Sequence, residues 1–137
     1  MLSPEIVILI LKIAVIAVTV LLTASLTALW FGRYRLHGRI NVVFFILVLV
    51  ALLGLELVTQ IATPGMLQDY LRRQGAENAL NVHLCFSVPA ALVLPAMLWT
   101  GLKRHRQVHI TMGVVFLVLW VGTFITGIFF LPHSAEP

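Results

Sequence analysis

The stretch INVVFFILVLVALLGLELVTQIA, Ile40–Ala62, decides the fold. Its one charged residue is Glu56; most of the rest is aliphatic or aromatic. As an α-helix rising about 1.5 Å per residue, it is long enough to cross the roughly 30 Å of hydrocarbon in a bilayer. Three further runs have the same character: Ile6–Phe31, Val82–Leu102 and Ile110–Leu131. The 137 residues are 61% hydrophobic and 10% charged, against roughly 45–50% and about 25% in a soluble domain. This balance excludes a water-soluble globule, a disordered chain and a nucleic-acid-binding domain. The expected fold is all-α: a polytopic membrane protein, one domain over 1–137, with four antiparallel transmembrane helices in a bundle. The first run is too long for a secretory leader and is read as a mature helix. Pro64-Gly65 ends the second helix. Loop 63–81 has Leu67, Tyr70 and Leu71 among its charges, which suggests a short interfacial helix.

The basic residues are sharply partitioned. Arg33, Arg35 and Arg39 fall in the first loop, and Lys103, Arg104 and Arg106 in the third, with no acid in either. The other side carries Arg72 and Arg73 against Glu5, Asp69, Glu77 and Glu136. Lys and Arg in short loops set orientation, so the first and third loops are expected in the cytoplasm and both termini outside. Trp30, Tyr34 and Trp99 then form an aromatic belt at the cytoplasmic interface. The two basic loops also suggest a weak repeat. Aligning His37 with His105 sets Asn41 opposite His109.

Two charges lie inside the spans. A charge at mid-bilayer costs about 2.5–3.5 kcal/mol even on the lenient scale, so each needs a partner. Lys12 and Glu56 sit at similar depths in neighbouring antiparallel helices, and an ion pair between them is expected. With Thr59 on the stripe of Glu56, and His83 opening the third helix, they would form a polar layer of Lys12, Glu56, Thr59 and His83 below the outer surface. Such a layer could be a structural pair that sets helix register, or a proton or cation site. Thr19, Thr23, Gly113 and Gly127 lie on stripes suited to close helix packing. Pro89 and Pro95 predict a bend in the third helix.

Histidine brings the chemical potential of this chain. His37, His105 and His109 lie towards the cytoplasmic side, His83 and His133 towards the other. All could be interfacial side chains beside lipid phosphates. The sharper alternative is ligation of a b-type haem by two imidazoles at one depth on facing helices. His37 with His105 or His109 meets that condition, and His83 with His133 nearly does. Copper is a further option, because imidazole suits it. The single cysteine excludes an internal disulfide and any CxxC haem-attachment motif. No P-loop, HExxH or Ser–His–carboxylate set occurs, so no hydrolase or nucleotide chemistry is expected.

From Arg35-Leu-His37-Gly-Arg39-Ile40-Asn41 onwards, about a hundred residues resemble the small four-helix bacterial membrane family that includes CtaM and YozB. The resemblance is carried by that basic His-containing entry, by His83 opening the next helix, and by Gly101-Leu-Lys103-Arg-His105-Arg before a final Gly/Thr-containing helix. Where members often carry a His near the outer end of the second helix, this chain has Glu56-Leu-Val-Thr59-Gln60. The resemblance implies a non-enzymatic protein of the bacterial cytoplasmic (inner) membrane, an assembly factor or accessory subunit of a haem-copper terminal oxidase in the respiratory chain. From the residues alone, a bis-His cytochrome and a structural small subunit of another membrane complex remain open.

Overall fold

A computed structural model describes residues 3–132; His133 and Glu136 lie outside the described residues. Helix α1 spans Pro4–Trp30 and α2 spans Tyr34–Glu56, widening into a π-helical segment over Leu57–Ala62. A short α3 follows at Met66–Arg73, in the loop where a short helix was expected. Helix α4 spans Glu77–Leu102, and α5 spans Arg106–Ile125 with a second π-helical segment over Thr126–Phe130. No strand occurs among the described residues. Four of the helices are long and apolar enough to cross a membrane, and the chain is a multi-pass membrane protein.

All four spans start earlier than the apolar runs suggest: α1 slightly, at Pro4 instead of Ile6, and the others by a turn or more, at Tyr34 instead of Ile40, Glu77 instead of Val82, and Arg106 instead of Ile110. The edge of an apolar run marks the edge of the hydrocarbon, not the first helical turn. Long polar side chains in that turn reach headgroups or water while the backbone stays helical. His37, His83 and His109 therefore lie on helices, and His105 is the N-cap of α5.

The bundle is two hairpins, α1–α2 and α4–α5, joined where α2 meets α4 and α1 meets α5. Phe44 of α2 and Phe116 of α5, each 1% exposed, meet edge to face across the centre with ring centroids 5.9 Å apart. Trp120 stacks on Phe116 at 5.8 Å, and its Nε1–H donates to Thr19 Oγ1 on α1 at 3.1 Å. Leu71 of α3 packs with Ile8 and Leu131 and closes the end opposite the basic loops.

The hairpins are a repeat, in a register different from the one the basic residues suggested. Residues correspond at a spacing of seventy-two, so His37 pairs with His109, not with His105. The matching residues read His37-x4-Val42-Val43-Phe44 and His109-x4-Val114-Val115-Phe116. The turns agree bond for bond: Arg33 N–H donates to Ala28 O and His105 N–H to Thr100 O, at 2.8 and 3.0 Å. Gly32 and Arg104 take the same left-handed place, at φ 71° and 58°. Buried positions repeat as well, with Val18 and Ala90, Leu22 and Leu94, and Ser25 and Met97 in equivalent places. Equivalent helices run the same way, so the two halves are related by a pseudo-two-fold along the bundle axis. Phe44 and Phe116 meet on it.

Candidate functional site: a histidine pair and two polar ends

At the basic end, the pseudo-two-fold brings His37 and His109 together, with ring centroids 6.4 Å apart and planes at 79°. Each ring is held by a carbonyl twelve residues earlier, on the preceding helix. His37 Nδ1 lies 3.0 Å from Ser25 O, and His109 Nδ1 lies 2.9 Å from Met97 O. A carbonyl only accepts, so both imidazoles carry their proton on Nδ1. Gly101 makes room for the second ring, since a Cβ there would stand 2.9 Å from His109 Cε1.

The first histidine is held much more completely than the second. With Nδ1 donating, the Nε2 lone pair of His37 accepts from Asn41 Nδ2 at 3.0 Å. Asn41 Oδ1 accepts from the Ser25 hydroxyl. Ser25 Oγ lies 2.8 Å from His37 Nδ1 and takes a share of its proton. The ring of bonds Ser25–Asn41–His37 is closed, and Ser25 is fully buried. In the second hairpin, Met97 and Gly113 stand where Ser25 and Asn41 do in the first, so no such ring forms.

This geometry bears on the cofactor expectations. Metal-ligating histidines commonly donate one ring N–H to a carbonyl and offer the other nitrogen to the metal. His109 and His37 both meet the first half of that pattern. His37 does not meet the second, because its Nε2 is engaged by Asn41. No group of three or more His, Cys, Asp or Glu side chains converges among the described residues. As bonded, with Asn41 on His37 Nε2, the pair does not offer two free imidazole nitrogens to a haem, and no third donor joins it for a copper centre among the described residues. His105 stands apart from the pair, exposed, with its ring 6.0 Å from that of Trp99.

The opposite end corrects the expected polar layer. Lys12 does not pair with Glu56. Its Nζ donates to Leu131 O at 3.0 Å and Pro132 O at 3.1 Å, just past the end of α5. Those carbonyls lie where the helix no longer supplies N–H partners, and they attract a cation. Glu56 is exposed instead. Thr59 Oγ1 donates to Leu55 O within its own helix at 2.9 Å. His83 joins the last turns of α5 through Thr126. The Thr126 hydroxyl donates to Gly122 O at 2.7 Å, so it accepts from His83 Nδ1 at 2.9 Å. Lys12 and His83 thus both tie down the end of α5, and neither neutralises Glu56. Among the described residues the one ion pair is Arg72–Glu77, at 2.9 Å in the α3–α4 turn. There the Glu77 carboxylate raises the Arg72 pKa above its ordinary value, chiefly through that hydrogen bond.

Ser25 and Thr126 were not anticipated. The signal for Ser25 was available: a His-x3-Asn pair one turn apart on a helix needs a third polar group across the hairpin to complete its bonds. The architecture is that of a multi-pass α-helical membrane protein made of two equivalent hairpins. Compared with models of protein families, with curated proteins and with solved structures, the chain matches none.

Proposed function

We propose that this is a non-enzymatic accessory protein of the bacterial respiratory chain, an assembly factor or accessory subunit beside a haem-copper terminal oxidase. The observation that carries the reading is Glu56. It sits exposed on α2, of which Phe44 alone is buried. A carboxylate bare to lipid costs about 2.5–3.5 kcal/mol, and Lys12 is engaged elsewhere. A donor from a neighbouring transmembrane protein removes that cost, so α2 is the face on which a partner docks. The resemblance to the CtaM and YozB family supplies the class of partner. The partition of Lys and Arg supports placing the basic end in the cytoplasm and both chain ends outside. A reporter inserted between Lys103 and Arg106 is then expected inside, and one fused after Pro137 outside; the reverse pattern would overturn the orientation.

Glu56→Leu should abolish co-purification with the oxidase and lower oxidase activity in membranes about ten-fold or more, while the protein itself still accumulates. Glu56→Gln, which keeps hydrogen-bonding capacity, should lie between. Full oxidase activity with Glu56→Leu would refute the reading. The 6.4 Å separation of His37 and His109 is what favours the alternative of a b-type cytochrome. The engaged Nε2 of His37 opposes it. A Soret band in the purified protein, lost in both His37→Ala and His109→Ala, would replace the accessory reading with the cytochrome.

A further inference from the structure

We propose that a groove along α1 and α2 holds one anionic phospholipid, with an acyl chain in the groove and the phosphate among Arg33, Arg35 and Arg39. The groove has a volume of about 640 Å³ and runs past Val20, Ala24 and Phe31, with Phe124 of α5 on its flank. Thr19, Thr23 and Thr27 also line it, but their hydroxyls donate to the carbonyls of Val15, Thr19 and Thr23 at 2.6, 2.9 and 2.8 Å. Their donor hydrogens are turned back into the helix. The groove is therefore apolar in character although three of its residues are threonines.

Its basic end is different. Arg33 and Leu36 belong both to this groove and to a second hollow of about 520 Å³, which Arg35 and Arg39 also line. An apolar channel thus opens into a cluster of three arginines. No acid lies in that loop, and none of the three is in an ion pair among the described residues. The occupant must carry a long apolar part and, at one end, concentrated negative charge. A phospholipid with an anionic headgroup has both. Basic pockets beside transmembrane helices bind such headgroups through the same charge pairing. A zwitterionic lipid offers the same tail without the net charge, so the arginines should discriminate between the two.

The test is native mass spectrometry of the full-length protein released from detergent micelles. Phosphatidylglycerol and phosphatidylcholine of identical chains compete in equal amounts. One retained phosphatidylglycerol per protein is expected, preferred at least about ten-fold over phosphatidylcholine. Arg33→Gln with Arg35→Gln and Arg39→Gln should erase the preference. Ala24→Trp, which fills the groove and leaves the arginines intact, should erase retention itself. Equal retention of the two lipids by the wild type would overturn the proposal. So would undiminished phosphatidylglycerol on Ala24→Trp, which would mean surface charge acting without the groove. If the triple variant does not fold, Arg33→Gln alone decides, because Arg33 lines both hollows: an unchanged preference overturns the proposal.

Discussion

Replacing Gly122 with leucine is expected to give a large loss of stability for a single change within the bundle. Gly122 lies on the face of α5 that meets α4, and the ring of Phe86 occupies the place where a Cβ would stand. Forcing atoms into a packed contact costs about 1–3 kcal/mol, and leucine at this contact belongs at the upper end. The contact matters more here than in a soluble core. Lipid is as apolar as a leucine, so helices associate through close packing and not through escape from water. Alanine at the same position should be milder, because its helix propensity returns about 1 kcal/mol relative to glycine. The measurement is thermal unfolding in detergent, with Gly122→Leu alone and combined with Phe86→Ala. The second change removes the obstructing ring, so the pair should be more stable than Gly122→Leu. Gly54→Leu is the control: nothing lies within 4 Å of a Cβ there, and little change is expected. A Gly122→Leu protein that melts with the wild type would mean that the Phe86 ring swings aside freely, and that α4 and α5 are not locked there.

The four spans were legible because a bilayer demands long apolar runs, and little else produces four of them in so short a chain. What those runs do not reveal is which way each helix is turned. Apolar side chains face both the interior and the lipid, as Val50 and Leu53, mostly exposed, and Phe44, buried, show on one helix. The expected Lys12–Glu56 pair failed for that reason. Depth along a helix can be counted from sequence, and both residues do lie in the same half of the bundle. Rotation could not be counted, and the actual partners of Lys12 are main-chain carbonyls at the end of α5, which leave no mark in the residue types. The repeat failed in a related way. Matching the densest basic residues aligned His37 with His105, whereas the shared Val-Val-Phe after His37 and His109 would have set the true register. Single apolar identities carry little information in a chain that is mostly apolar, yet the two phenylalanines meet on the symmetry axis.

Asn41→Leu is expected to destabilise the basic end by about 1–3 kcal/mol, the usual penalty when buried polar groups lose their partners. Leucine matches asparagine in the number and branching of its side-chain heavy atoms, so most of the loss would come from the hydrogen bonds. What disappears is a pair of bonds: the one Asn41 donates to His37 Nε2 and the one it accepts from Ser25 Oγ. Ser25→Ala removes the hydroxyl but leaves the Ser25 carbonyl on His37 Nδ1, so it should cost less. The double variant should cost less than the sum of the two, because the Ser25–Asn41 bond is counted in both single losses. The second hairpin supplies the comparison. Gly113 stands where Asn41 does, and His109 keeps its carbonyl bond without any such ring, so His109→Ala should cost less than His37→Ala. The same substitution also tests the chemistry. In Asn41→Leu the His37 Nε2 lone pair no longer has Asn41 as its donor, while Nδ1–H still donates to Ser25 O, which is the state a metal-ligating imidazole requires. Titration with Zn²⁺, followed by protection against thermal unfolding, should show a gain in this variant that the wild type lacks. Equal protection of both would mean that Asn41 does not hold the His37 nitrogen closed.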